Sequence, residues 1–118
     1  MDDIMETKPA LAALAALAQA SRLATYRLLV QAGPAGLSAT RIAEALNMAP
    51  SSLSFHLKEL THANLVTPKH DGRFIYYAAN FETMNQLLGF LSENCCGGNP
   101  CMPASRSSCE PSTAGASA

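Results

Sequence analysis

A mainly α chain with one β-hairpin, ordered α-α-α-α-β-β-α, is predicted by three features of this sequence. Ser38 to His62 (SATRIAEALNMAPSSLSFHLKELTH) reads as two short helices around a tight break. The segments Leu65–His70 and Arg73–Ala78 flank Asp71-Gly72, a strong two-residue hairpin signal. Apolar helical patterns lie on both sides of this block. That order is the outline of a winged helix-turn-helix.

The first helix is expected from about Lys8 to Ala20, with Pro9 in its first turn and Leu11, Leu14 and Leu17 spaced three apart. Its alanine surface lets another helix approach closely, whether in the core or across a dimer contact. Ser21 is placed to cap a second helix running to Ala32, with Leu23, Leu28 and Leu29 among its apolar positions, and Gly33-Pro34-Ala35-Gly36 ends it. Ser38 then caps a short helix carrying Ile42, Ala43 and Leu46. Asn47-Met48-Ala49 interrupts the pattern, and Pro50 suits the first residue of the next helix, where its missing N–H is no loss.

Residues of that next helix, set at 100° intervals, place Leu53, Leu57 and Leu60 on one stripe and Ser51, Phe55, Lys58 and His62 on the opposite face. The leucines pack and the other face looks outward. Asn64 stands where a left-handed residue stops a helix. In the hairpin, Pro68 requires an edge position, and Lys69, His70 and Arg73 gather near the tip. Asn80 caps a final helix with Glu82 near its positive end; Met84, Leu87, Leu88 and Leu91 form its stripe, and Gly97-Gly98 stops it.

Small hydroxyls, a cation and an exposed aromatic on one helix face suit a DNA major groove, where serine meets bases or phosphates and an apolar group touches a thymine methyl. The same face also reads as solvated surface, and the hairpin behind it favours the first reading. Ser51, Ser52, Ser54, Phe55, His56 and Lys58 on the helix, with Lys69 and Arg73 on the wing, are the candidate DNA-binding residues. His56 falls at the edge of the packed stripe, which also suits a structural role.

The 118 residues carry a net charge of only −1, but unevenly distributed. Between Ser21 and Asn80, six cations (Arg22, Arg27, Arg41, Lys58, Lys69, Arg73) meet three anions (Glu44, Glu59, Asp71), for +3; the rest carries −4. Positive charge lies where the DNA reader is expected. The acidic start lacks a basic signal-peptide region and the longest apolar run is too short for a bilayer, so a cytoplasmic protein without a membrane partner is expected. Two regions follow from this reading: 1–94, a DNA-binding and dimerisation domain, and 95–118, a flexible tail of Gly, Pro, Ser and Ala that carries the cysteines. No nucleophile–base arrangement is visible, so no enzyme is expected.

Cys95, Cys96 and Cys101 fall within seven residues, and Cys109 follows. Adjacent α-carbons about 3.8 Å apart make a disulfide between Cys95 and Cys96 strained. Gly97, Gly98 and Pro100 are expected to give a flexible return able to bring Cys101 back to the pair. Three thiolates suit a thiophilic ion held in a pyramid, trivalent arsenic (as arsenite) or antimony (as antimonite), better than zinc, which wants a fourth donor such as Cys109. Oxidation sensing, with Cys101 or Cys109 pairing to Cys95 or Cys96, stays open as an alternative, as do tail cysteines without a role.

Ser21-Arg22-Leu23, SSLSFHLKEL (Ser51 to Leu60), Ala63-Asn64-Leu65-Val66 and Asp71-Gly72-Arg73 with Tyr76 or Tyr77 together resemble the ArsR/SmtB family of bacterial metalloregulatory repressors, over roughly Leu11 to Leu91. The resemblance implies a homodimer joined through the first and last helices. Such a dimer binds an imperfect palindrome in double-stranded operator DNA and leaves it on binding an inducer. Two departures stand out. Family members of the best-known arsenic type carry Cys-Val-Cys in the helix before the reader, where this chain has Arg41-Ile42-Ala43-Glu44; and the usual Gly before Leu-Val is Asn64. The first departure moves the expected inducer site to Cys95, Cys96 and Cys101.

Overall fold

The computed structural model describes residues 5–93. Their order is α1 (Thr7–Leu17), α2 (Ala20–Ala32), β1 (Leu37–Ser38), α3 (Ala39–Leu46), α4 (Pro50–His62), β2 (Val66–Asp71), β3 (Phe74–Ala79) and α5 (Phe81–Ser92). The expected winged helix-turn-helix is present, with one addition. The two-residue strand β1 pairs antiparallel with β3, giving a three-stranded sheet in the order β1-β3-β2. A strand of two residues has no periodicity of its own. It exists because Leu37 and Ser38 find Tyr77 and Tyr76 opposite them.

Helix α1 packs the face that its sequence leaves ambiguous. Ala10, Ala13 and Ala16 are buried, while Leu11 is 60% exposed and Leu14 also faces outward. Small side chains are inside because α2, α4 and α5 all lie against α1, and methyl groups permit that approach. The expected helix to Ala20 ends earlier, at Leu17. There the guanidinium Nε of Arg22 donates to the Ala16 carbonyl at 2.7 Å, a cation at the negative end of the helix.

That early end shifts the next cap. Gln19, not Ser21, caps α2, its side-chain oxygen accepting from the Arg22 N–H at 2.9 Å. Ser21 lies inside the helix, where its carbonyl accepts from the buried Thr25 hydroxyl at 2.8 Å. Leu29 and Tyr26 carry the core contacts of α2, and Leu23 is exposed.

The caps of the central block stand where the sequence places them. Ser38 accepts from the Arg41 N–H at 3.3 Å and Pro50 opens α4. Two asparagines in the left-handed region close the two helices by the same device. After Asn47 (φ 53°) the Met48 N–H reaches back to the Ala43 carbonyl at 3.0 Å; after Asn64 (φ 66°) the Leu65 N–H reaches Leu60 at 3.0 Å.

In the hairpin, Asp71 pairs with Phe74, so the two turn residues are Gly72-Arg73 rather than Asp71-Gly72. Gly72 at φ 66° takes the first central position, the place a type II′ turn reserves for glycine. Pro68 lies on the edge strand, where it breaks no inner ladder. Asn80 caps α5, accepting from the Thr83 N–H at 3.2 Å. Of the α5 stripe, Leu87 is buried and Met84 half-buried, but Leu88 and Leu91 are exposed. The helix closes at Ser92, whose hydroxyl donates back to the Leu88 carbonyl at 2.8 Å, ahead of the expected stop at Gly97-Gly98.

Gly36 is the tightest point of the loop between α2 and β1. It has φ 76°, and a Cβ there would stand 2.4 Å from the Tyr77 carbonyl oxygen, in the backbone of β3. Gly72 shares a positive φ but faces open space. Gly36→Ala therefore combines left-handed strain with a backbone clash and is expected to cost on the order of 3 kcal/mol, against about 1–2 kcal/mol for Gly72→Ala. Urea denaturation of the two variants checks the difference.

Candidate nucleic-acid interface

Helix α4 is set by its leucines. Leu53, Leu57 and Leu60 are buried against the core, which α2 and α3 help to close around them. This rotation turns Ser51, Ser52, Ser54, Phe55 and Lys58 outward, and Phe55 is 54% exposed. His56 differs from its neighbours. It is half-buried, its Nδ1 is enclosed without a hydrogen-bond partner among the described residues, and its ring meets Phe55 edge-on at 5.7 Å between centroids. The geometry thus separates His56 from the exposed set and places it at the boundary of the core.

A groove of about 340 Å³ runs between α3 and α4, with Thr40, Glu44, Asn47, Met48, Pro50 and Ser54 among its walls. It brings Thr40, in the first turn of α3, to the same surface as Ser54, a juxtaposition that the sequence reading does not contain. The available signal is the Ser38 cap, which fixes Thr40 and Arg41 as first-turn residues with exposed side chains.

The two wing candidates part company. Arg73 is exposed in the turn itself. Lys69, although on the surface, donates from Nζ to the Pro34 carbonyl at 2.7 Å. With Arg22 on the Ala16 carbonyl, two of the six cations counted toward the reader are directed at backbone carbonyls. Beside Arg73 the wing exposes Phe74 (60%) and Ile75. The sequence pattern reads these as strand residues without saying which face they occupy.

Large apolar side chains are also exposed on α1 and α5. Leu11, Leu14, Leu88 and Leu91 are exposed there, Leu91 by 58%, on two helices that pack against each other. Exposed leucines on adjacent helices form the kind of apolar face that marks a protein contact. Among the described residues no group of three or more His, Cys, Asp or Glu side chains is gathered to hold a metal ion. Cys95, Cys96, Cys101 and Cys109 lie outside the described residues. No helix among the described residues is long and apolar enough to cross a membrane.

The fold and its outward-facing helix define a winged helix-turn-helix protein. Residues 17–68 match the model of a helix-turn-helix domain family. The chain is similar to the arsenical resistance operon repressor of Bacillus subtilis, with 42% identity over 55 residues, covering 47% of this chain and half of that protein's length. It is also similar to the transcriptional repressor SdpR of the same organism, at 33% over 61 residues, covering 48% of this chain and 68% of SdpR. Among solved structures, an ArsR-like transcriptional regulator from Rhodococcus sp. RHA1 superposes with a TM-score of 0.65 at 27% identity, over 72% of this chain and 77% of that one. The chain belongs to the ArsR/SmtB family of regulators.

Tyr26 lies where α2 meets the core that seats α4. Its hydroxyl is buried without a hydrogen-bond partner among the described residues, and burial raises its pKa above the ordinary 10.0. Tyr26→Phe is expected to be neutral or to stabilise by about 1 kcal/mol, because it removes a polar group whose desolvation nothing offsets. The sign of the pH effect follows from the raised pKa. Above pH 10 the unfolded phenol ionises while the folded one stays protonated, so stability falls as pH rises, and the phenylalanine variant should lack that part of the alkaline loss. Thermal melts of both proteins between pH 7 and 11 check it.

Proposed function

We propose that this protein is a transcriptional repressor that binds operator DNA as a homodimer and releases it when trivalent arsenic or antimony binds Cys95, Cys96 and Cys101. One observation carries the DNA-binding part. The leucine stripe of α4 is buried, so Ser51, Ser52, Ser54, Phe55 and Lys58 are presented together on its outer face, with Arg73 on the wing that follows. That combination gives phosphate contacts from hydroxyls and cations and an apolar contact for a thymine methyl.

The exposed leucines of α1 and α5 supply the dimer contact. A two-fold axis through that face sets two α4 helices for successive major grooves, about 34 Å apart. The wing reaches the flanking backbone. Residues 1–94 act as the reading and dimerising unit, and 95–118 as the sensing tail.

The inducer reading rests on the cysteines and on similarity to a protein named as an arsenical resistance operon repressor. Three thiolates within seven residues, with no histidine or carboxylate required, match a trivalent metalloid. Zinc needs a fourth donor, and Cys109 is the one at hand. Helix α5 ends at Ser92, just ahead of Cys95, and carries half of the proposed dimer face. Ligation beside it is therefore coupled to the spacing of the reading heads. A coupling of about 1–3 kcal/mol weakens operator binding roughly 5- to 150-fold.

The test is fluorescence anisotropy on operator DNA under reducing conditions, with arsenite, antimonite and zinc titrated in parallel. Arsenite or antimonite is expected to release the DNA. Cys95→Ser, Cys96→Ser and Cys101→Ser should each retain operator affinity within about 2-fold and lose release, while Cys109→Ser should behave as wild type. Release of the Cys95→Ser protein by arsenite would place the inducer elsewhere. Release by zinc that requires Cys109 would make the site a four-thiolate zinc sensor.

A further inference from the structure

We propose that Lys69 is the positioning residue of the wing and not one of its phosphate contacts, an inference that rests on the DNA-binding reading above and says how the wing is aimed. Its ammonium donates to the Pro34 carbonyl oxygen at 2.7 Å, across 35 positions of sequence. The sheet order β1-β3-β2 makes β2 a free edge, joined to the rest of the sheet through β3. Lys69 stands opposite Tyr76, and Tyr76 opposite Ser38, so the three occupy one row across the sheet. The far strand lies two spacings away, about 9.6 Å. A long stem is needed to tie the edge strand to the loop that precedes β1.

The receiving end of this tie is rigid. The Gly33 N–H donates to Leu29 and Val30 carbonyls at 3.2 and 3.3 Å, and the Gly36 N–H to the Gly33 carbonyl at 3.1 Å. Gly36 is seated directly on the Tyr77 backbone. Pro34 is therefore held between the end of α2 and the start of β1, and α2 is one of the helices against which α4 packs. Lys69 couples the outer edge of the wing to the body that carries the reader. An ammonium on a carbonyl is a charge-assisted bond, and it points the charge into the protein's own loop. Phosphate contact from the wing falls to Arg73, exposed in the turn.

Salt dependence separates aiming from phosphate contact. Each phosphate neutralised adds about 0.9 to the slope of log K against log salt, so loss of one contact per protomer lowers the slope of a dimer by about 1.8. Arg73→Gln is expected to show that drop. Lys69→Met is expected to weaken operator binding by the worth of two hydrogen bonds, one per protomer, roughly 5- to 150-fold, at unchanged slope, with hydroxyl-radical protection lost only at the wing's flanking positions. In the free protein its amides at residues 69–76 should exchange faster while the melting temperature holds, and Lys69→Arg should restore both behaviours. A slope lowered by about 1.8 in Lys69→Met, or amide exchange identical to wild type, overturns the proposal. If the wild-type protein binds no operator DNA, the repressor reading fails, while the exchange comparison still decides whether the tie exists.

Discussion

The structure depends first on the burial of three leucines one helical turn apart. Leu53, Leu57 and Leu60 lock the rotation of α4 about its own axis, and every property of its outer face follows from that rotation. Each buried leucine contributes about 1.5–3 kcal/mol, far more than any exposed serine or lysine contact can oppose. The helix therefore cannot roll to improve a polar contact. Its outer residues are presented at fixed angles, which a face that reads a groove requires.

Around that helix the chain uses short polar devices to control direction. Asn47 and Asn64 both adopt left-handed backbone and send the chain away from α3 and α4 at fixed angles. The second of these exits leads into β2, and the Asn80 N–H returns to the Leu65 carbonyl at 2.8 Å, so the base of the wing is closed on itself. The wing is thus fixed at its base by backbone bonds and at its edge by a side chain. Between those points, Phe74 and Ile75 stay uncovered at the tip.

The parts of this architecture that were legible in the sequence are those decided within one turn of chain. Ser38, Pro50, Asn64 and Asn80 have one local geometry each, and the leucines of α4 contrast with the polar residues beside them. What escaped is decided by distant partners. In α1 the series Ala10, Ala13, Ala16 and Leu11, Leu14, Leu17 share one spacing, so periodicity cannot say which faces inward; the closeness of the neighbouring helices decides. Gln19 displaces Ser21 as a cap because α1 ends early under Arg22. Strand β1 needs Tyr76 and Tyr77 in order to exist, and the turn moves by one residue because Gly72 must come first. Lys69 reads as a surface cation until Pro34 is placed beside it. The outward placing of Ser51, Ser52, Ser54, Phe55 and Lys58 was legible, as was His56 at the edge of the packed stripe; Thr40 was not, because its place beside Ser54 depends on how α3 meets α4.

The repressor reading has to connect two surfaces that share no residue. The proposed reading face belongs to α4 and the wing, whereas the cysteines follow in sequence after α5, which packs against α1. Helix α1 packs against α5 and also against α2 and α4, which makes it the candidate link. Its inward face is alanine, with Ala13 fully buried. A methyl-lined contact has little side-chain freedom with which to absorb a displacement, so a shift of α5 is passed on as movement of whole helices. Leu11 and Leu14 of α1 and Leu88 and Leu91 of α5 are exposed on these two packed helices. On the proposed repressor reading, a dimer built on those leucines joins its protomers through the outer side of α1, whose alanine side packs on the core that seats α4, so ligation beyond α5 has a packed route to α4.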